Sequence, residues 1–413
     1  MLKDKEMNES TSKRPISRRD VLRRAAALGS LMAIASLLEA CRQARLTTPT
    51  GIPEVAQKPT APSSFTPAPK PSATPPPSAT PTLQPSPTFS PSPTSTLKPS
   101  ATIPPAPTAT TQADVAQVVF VKTRDRAEGV RRVLELLGAN PVQGKGVLVK
   151  PNFNSPDPAP GSTHNDVLRT LVEELWNLGA QAITVADRSG MADTRRAMEQ
   201  KGVLDMAEEL GFETLVLDEL EEQEWVMVQP SESHWRQGFP FARPCLEAEA
   251  LVQTCCLKTH RFGGHFTMSL KNSVGMVAKH GPDGYNYMGE LHSSPHQRLM
   301  IAEVNTAYTP ALIVMDGVEA FVNGGPESGK RIWAEVVLAS TDRVALDAVG
   351  VALLRFFGTT PEVSRRAIFD QEQIARAVEL SLGIDGPDKI QLVTADPESE
   401  AYAAQIQEFL EVR

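Results

Sequence analysis

From Asp114 onward, short β-branched runs alternate with amphipathic stretches, and this alternation leaves few folds open. Strands separated by helix-length segments pair in parallel, because each helix carries the chain back along the sheet. The predicted body is therefore α/β, a mostly parallel sheet with helices on both faces. "GVLVKPNFN" stops at Lys150, Pro151 and Asn152, and "STHNDVLRTLVEELWNLGA" then supplies a helix with Ser162 or Thr163 as its cap and Gly179 closing it. "AITVADRSG" ends at Asp187, "ETLVLDEL" at Asp218, "EALVQTCCLKTH" at Lys258 and His260, and "ALIVMDG" at Asp316. "WAEVVLASTDRVALDAVGVALL" reads as a strand, a turn at Thr341 and Asp342, and a helix carrying Asp347.

What precedes this body cannot bury a core. Residues 42–113 are Pro, Ser, Thr and Ala almost throughout and lack any apolar period, the composition of a disordered, semi-rigid linker. Residues 1–41 hold Arg18 and Arg19 ahead of an uncharged run, Ala25 to Leu38, that is too short for an ordinary membrane span. The pattern resembles a twin-arginine export signal. "LEAC" resembles a lipobox, with Cys41 as the lipidated residue, although Glu39 departs from the small residue usual there. The folded domain is then residues 114–413. Its expected location is the outer face of a bacterial cytoplasmic membrane or the cell surface, held by the lipid or by the N-terminal segment.

The net charge is −8, and the first forty residues are basic, with eight Lys or Arg against five Asp or Glu. The rest is more acidic still, which argues against nucleic acid as a partner. Of the four cysteines, Cys245, Cys255 and Cys256 show no metal-ligand spacing, so a cysteine-bound iron–sulfur cluster is not supported. Cys255 and Cys256 read as buried small hydrophobes.

In an open parallel sheet, ligands bind beyond the carboxyl ends of the strands. Lys150, Asn152, Asp187, Lys258, His260 and Asp316 all fall at such ends, and together they predict one shared rim. The stretch "KTHRFGGHFTMSLKNSVGMVAKHG" reads as a strand end, a Gly263-Gly264 turn, and a helix from about Phe266 or Thr267 to Lys279 closed by Gly281. Leu270, Val274 and Val277 form its buried stripe, with Lys271 and Asn272 beside it. Free N–H groups at that helix start, room made by the glycines, and Lys150, Lys258 and Lys271 together predict a phosphate or carboxylate site.

Five of the seven histidines, His260, His265, His280, His292 and His296, lie close in sequence. With Asp187 and Asp316 they offer ligands to a borderline metal, but no H-x-x-x-H helix or H-E-x-x-H motif accompanies them. His260 also suits a general base, because imidazole titrates near neutrality. Asn323 to Lys330, "NGGPESGK", lacks the spacing of a phosphate loop and reads as a mobile glycine loop over the site.

Lys150-Pro-Asn152, "KTH" at 258–260, "SLKNSVG" at 269–275, "MDGVEAFVNGGPESG" at 315–329 and "DRVALDAVG" at 342–350, in this order, resemble the DUF362 family of uncharacterised α/β proteins. The resemblance runs from about Val118 to Leu382. It implies the fold but no agreed activity. Many family members carry ferredoxin-like domains with iron–sulfur clusters, and this chain lacks those cysteines.

Two functions fit these residues. In one, the protein binds a small anion, with or without a metal or cofactor, and acts on it through His260, Lys258 and Asp187, with Lys150, Asn152, Lys271, Asn272, Gly263, Gly264 and Asp316 holding the ligand. In the other, it is a tethered solute-binding lipoprotein without chemistry. Neither the cofactor nor the reaction is named by the sequence.

Overall fold

The computed structural model describes residues 115–412. The export signal, Cys41 and the proline-rich linker expected from the sequence lie outside the described residues. Within them, eleven strands run in chain order: β1 (Ala116–Lys122), β2 (Gly146–Lys150), β3 (Ala182–Asp187), β4 (Glu213–Val216), β5 (Trp225–Val228), β6 (Phe239–Ala242), β7 (Ala250–His260), β8 (His265–Thr267), β9 (Leu312–Gly324), β10 (Gly329–Ser340) and β11 (Ile390–Val393).

Nine of them form one sheet in the order β11-β1-β10-β9-β7-β2-β3-β4, with β8 folded back on β7, while β5 and β6 pair separately. Strands β9, β7, β2, β3 and β4 are mutually parallel; β10 runs against β9 and β1, and β8 against β7. The mostly parallel α/β sheet read from the sequence is the observed one. β7 is buried at every position, as a strand covered on both faces must be, which explains why apolar residues fall on both of its faces, with only Gln253 and Thr254 interrupting them before the polar end at Lys258.

Alternate residues divide between two cores. Val118 and Phe120 of β1, with Ile313 and Met315 of β9, pack under the helix Arg343–Phe356 and the C-terminal helix Pro397–Glu411. Val119 and Val121, with Leu312 and Val314, face the helices Arg126–Leu137 and Asn165–Asn177 on the other side. This period of two, with apolar residues on both phases, makes the sheet a middle layer.

Several ends differ from expectation. His164, not Ser162 or Thr163, caps the helix Asn165–Asn177, its Nδ1 accepting from the Asp166 amide at 3.1 Å. β4 stops at Val216, and Asp218 falls in a following 3-10 turn, where its carboxylate meets Lys279 at 2.9 Å. β9 does not end at Asp316 but runs on to Gly324, because its pairing with β10 continues past a bulge. The turn at Asp342 is as read: its side chain caps the helix Arg343–Phe356 at the Val344 and Ala345 amides, 2.8 and 2.9 Å away.

Gly129 shows how tightly the helix Arg126–Leu137 sits on the sheet. A Cβ there would lie 2.5 Å from Val337 Cγ2 and 2.9 Å from Thr123 Cγ2. In an exposed helix, Gly→Ala adds about 1 kcal/mol of stability. Overpacking a full interior costs about 1–3 kcal/mol, so the clash outweighs the propensity. Gly129→Ala is therefore expected to lower the urea midpoint rather than raise it, with a net loss of about 1 kcal/mol.

Candidate functional site

The chain passes from β2 to β3 on one side and later places β7 on the other side of β2. That reversal is a topological switch, where the connections diverge and leave a crevice beyond the strand ends. A cavity of about 350 Å³ lies there. Seven of the residues expected to act on or hold the ligand line it: Lys150, Asn152, Asp187, Lys258, His260, Lys271 and Asn272. Residues from β2, β3, β7 and the segment after β8 thus meet across more than a hundred positions of chain.

Lys150 and Asp187 form a buried pair, Nζ to Oδ1 at 2.7 Å. The Lys150 amine also donates to the Pro151 carbonyl at 2.6 Å and to Asn272 Oδ1 at 3.1 Å, which occupies its three N–H groups. Asp187 in turn accepts the backbone amides of Phe153 at 2.6 Å and Arg188 at 2.7 Å. Asn272 Nδ2 returns to the carbonyls of Lys150 and Thr254. Gly275 makes this packing possible, since a Cβ on it would stand 2.7 Å from Lys150 Nζ and 2.9 Å from Asp187 Oδ1.

The other cations have no such partner. Lys258 donates to Asn152 Oδ1 at 2.7 Å and to the Gly161 carbonyl at 2.5 Å, both neutral, and burial pulls its pKa below the usual lysine value. Arg188 is buried against the Val274 carbonyl, the Ser189 carbonyl and Met288 Sδ, its Nε has no partner, and burial likewise lowers its pKa. Lys271 has no hydrogen bond or ion pair among the described residues. Burial, reinforced by Lys258 and Arg188, brings its pKa to about 7. Asp187 is the sole acidic residue in the cavity wall, and Lys150 already neutralises it. Arg188, Lys258 and Lys271 therefore face one space, and among the described residues no carboxylate is in direct contact with the amine or guanidinium of any of them.

Unpaired polar atoms collect in the same wall. Asn154 Nδ2, His260 Nδ1 and Thr267 Oγ1 are buried without a hydrogen bond, as is Arg188 Nε. Such atoms are rare in folded proteins and mark places where something else completes the bonding. Burial first, then Lys271, holds the His260 pKa well below the ordinary histidine range, so the imidazole is neutral near pH 7. His292 is lowered in the same sense, chiefly by burial.

The model of the family described as "Domain of unknown function (DUF362)" matches residues 147–352, a span holding every residue of this cavity. This chain carries a DUF362 domain. No curated protein matches it. It is also similar to the lactate racemase apoprotein from Thermoanaerobacterium thermosaccharolyticum, at 12% identity over 71% of this chain and 85% of that one, with a TM-score of 0.33. A likeness that slight carries no argument about this site.

The DUF362 domain corrects several site expectations. Asp316 does not line the cavity: it is held by Arg126 at 2.8 Å and accepts the Val318 amide at 3.0 Å. The predicted long helix from Phe266 or Thr267 to Lys279 is instead β8, a single helical turn Ser269–Asn272 and a 3-10 turn Ser273–Met276. Its first amides are taken as well, because Asp347 accepts Ser269 N at 2.8 Å and Leu270 N at 2.9 Å. No anion site remains at that helix start. Burial raises the Asp347 carboxyl to about 7.

The glycine pair also acts differently from the expected backbone approach to a ligand. Gly263 has φ +80 and a Cβ there would strike Gln297, so it serves the β7–β8 turn. A Cβ on Gly264 would stand 2.9 Å from both His260 Nδ1 and Lys271 Cε, so this glycine makes room for those two side chains. The expected glycine loop is the tip of the β9–β10 hairpin. Gly325 lies against the Thr259 carbonyl, Arg261 Nη1 donates to the Gly325 carbonyl at 2.9 Å, and Pro326 forms part of the cavity wall.

The histidines disperse. His265 lies in β8, His280 forms an isolated backbone β-bridge with Asn286, and the His296 ring lies tilted against His234 with centroids 4.8 Å apart, leaving only His260 and His292 at the cavity. Among the described residues, no three His, Cys, Asp or Glu side chains converge as metal ligands. Sequence reasoning missed Arg188, Asn154 and Thr267, while His292, offered there as a metal ligand, lies in the cavity wall without such a ligand set. Arg188 had a signal, since it directly follows the strand-end Asp187 in "ADRSG".

Breaking a buried pair by removing one partner typically costs about 3–5 kcal/mol, because the survivor stays charged and desolvated. Lys150→Met is expected to lose about that much, read as a fall in the denaturant midpoint, while Lys150→Met combined with Asp187→Leu recovers part of it.

Proposed function

We propose that this cavity binds a small carboxylate- or phosphate-bearing ligand, as the working site of an exported and membrane-tethered domain. The observation that carries the reading is the set of three cations, Arg188, Lys258 and Lys271, in a cavity whose single carboxylate is already spent on Lys150. Desolvated charges without partners are costly, and an incoming anion offsets that cost directly. The volume of about 350 Å³ suits a small molecule. Export and tethering are supported by the N-terminal sequence alone.

Roles divide differently from the plain list of polar strand ends. Lys150, Asp187 and Asn272 position the wall, because their hydrogen bonds are used among themselves. Asn152 positions Lys258. Arg188, Lys258 and Lys271 supply charge to the ligand, and His260 offers a neutral ring whose Nδ1 is free to exchange a proton. Perturbed titrating groups gathered in one cleft favour chemistry over simple capture. A receptor without chemistry remains the second reading, supported by the same cations.

Sulfate keeps its charge across neutral pH and tests the anion reading alone. Lys271 is protonated below about 7 and neutral above it. A bound anion favours the protonated form, so affinity is high at lower pH and falls as pH rises through that value. Calorimetric titration of the full chain is expected to show sulfate affinity dropping about tenfold across that range, one lost charge contact being worth about 1.4 kcal/mol. Arg188→Gln is expected to weaken binding at every pH by about tenfold or more. Absence of sulfate binding in the unaltered protein would remove the proposal.

A further inference from the structure

Lys271 stands apart from the other basic residues of the cavity. Lys150 has its N–H groups engaged and Lys258 is fixed by Asn152 and the Gly161 carbonyl, whereas the Lys271 amine is unengaged among the described residues. It shares its space with two cations and with no free carboxylate. Across the bare Cα of Gly264, the Lys271 chain and the His260 ring converge on one spot. Desolvation and neighbouring positive charge are the two environments that turn a lysine into a nucleophile, and its pKa of about 7 agrees with both.

We propose that Lys271 forms an imine with the carbonyl carbon of a small 2-oxo acid whose carboxylate is held by Arg188 and Lys258. This rests on the anion-binding reading above and names its substrate class. A 2-oxo acid places its carbonyl next to its charge, so an anion held by fixed cations presents that carbon to a neighbouring amine. The unpartnered Asn154 Nδ2 and Thr267 Oγ1 are available to the carbonyl oxygen.

The step balances without an oxidant or a metal. The amine lone pair forms the C–N bond as the carbonyl π pair moves to oxygen. One proton passes from nitrogen to that oxygen, and His260 Nδ1 is placed to relay it. The new hydroxyl then leaves with the second nitrogen hydrogen as one water, and a C=N bond remains.

The test uses the full chain incubated with pyruvate and cyanoborohydride, followed by intact mass measurement and peptide mapping. One adduct per chain is expected, with a gain of one pyruvic acid less one oxygen atom, located on Lys271. Sulfate is expected to suppress it, and its initial rate is expected to rise severalfold as pH increases through about 7 and the amine loses its proton. No adduct, or an adduct on another lysine, in protein that still binds sulfate would overturn the imine while leaving the anion site. Loss of both sulfate binding and labelling would overturn the two together. Labelling of Lys271 that sulfate does not suppress would show that the carboxylate is not held as proposed.

Discussion

The buried pair of Lys150 and Asp187 is the interaction from which the cavity is built. It joins the ends of β2 and β3, and through Asn272 it draws in the turn that follows β8. Neither charge would be tolerable alone at this depth. With three acceptors on the amine and two backbone amides on the carboxylate, the pair is nearly saturated, and its first effect is geometric. The amides of Phe153 and Arg188 are fixed by Asp187, so the backbone leading into Asn154 and the Arg188 side chain is set by the same carboxylate.

That saturation is what leaves the remaining charges exposed to one another. Asp187 is the one carboxylate of the cavity wall, and its charge is matched by Lys150. Because it is consumed, positive groups accumulate at the switch between β2 and β7 in a chain that is acidic as a whole. The local sign is the reverse of the global one, which is the pattern expected where an anion is drawn from solution into a defined place.

Much of this was legible in the sequence because parallel strands announce themselves twice, by unbroken apolar runs and by the polar residues that end them. Lys150, Asp187, Lys258 and His260 were found in that way, and the cavity contains all four. What failed were statements that needed partners distant in sequence. Asp316 looked like the other strand ends, yet Arg126, from a helix 190 positions earlier, claims it. The apolar stripe of Leu270, Val274 and Val277 read as one helix, but the segment turns after Asn272 so that Gly275 can pass over the Lys150–Asp187 pair. Periodicity alone cannot register that constraint. The mirror case is Arg188, overlooked because an arginine after a strand is ordinary until its guanidinium proves to be buried with only carbonyls and a thioether as partners.

The placement of Asp347 decides which groups are left to meet a ligand in the proposed site. Backbone amides at a helix start bind anions with a strength that pH does not alter, since they never lose their protons in the neutral range. Here the amides of Ser269 and Leu270 are bonded to an internal carboxylate, and this route is closed. Recognition in the proposed site therefore falls to side-chain cations, and one of them has its pKa near 7. A ligand that meets such a group can take either of its two forms, the ammonium as a charge partner or the amine as a nucleophile. Their balance is set by the desolvation and the neighbouring charges of Arg188 and Lys258, so the features on which the proposed anion site rests are the same ones that favour the amine form of its lysine.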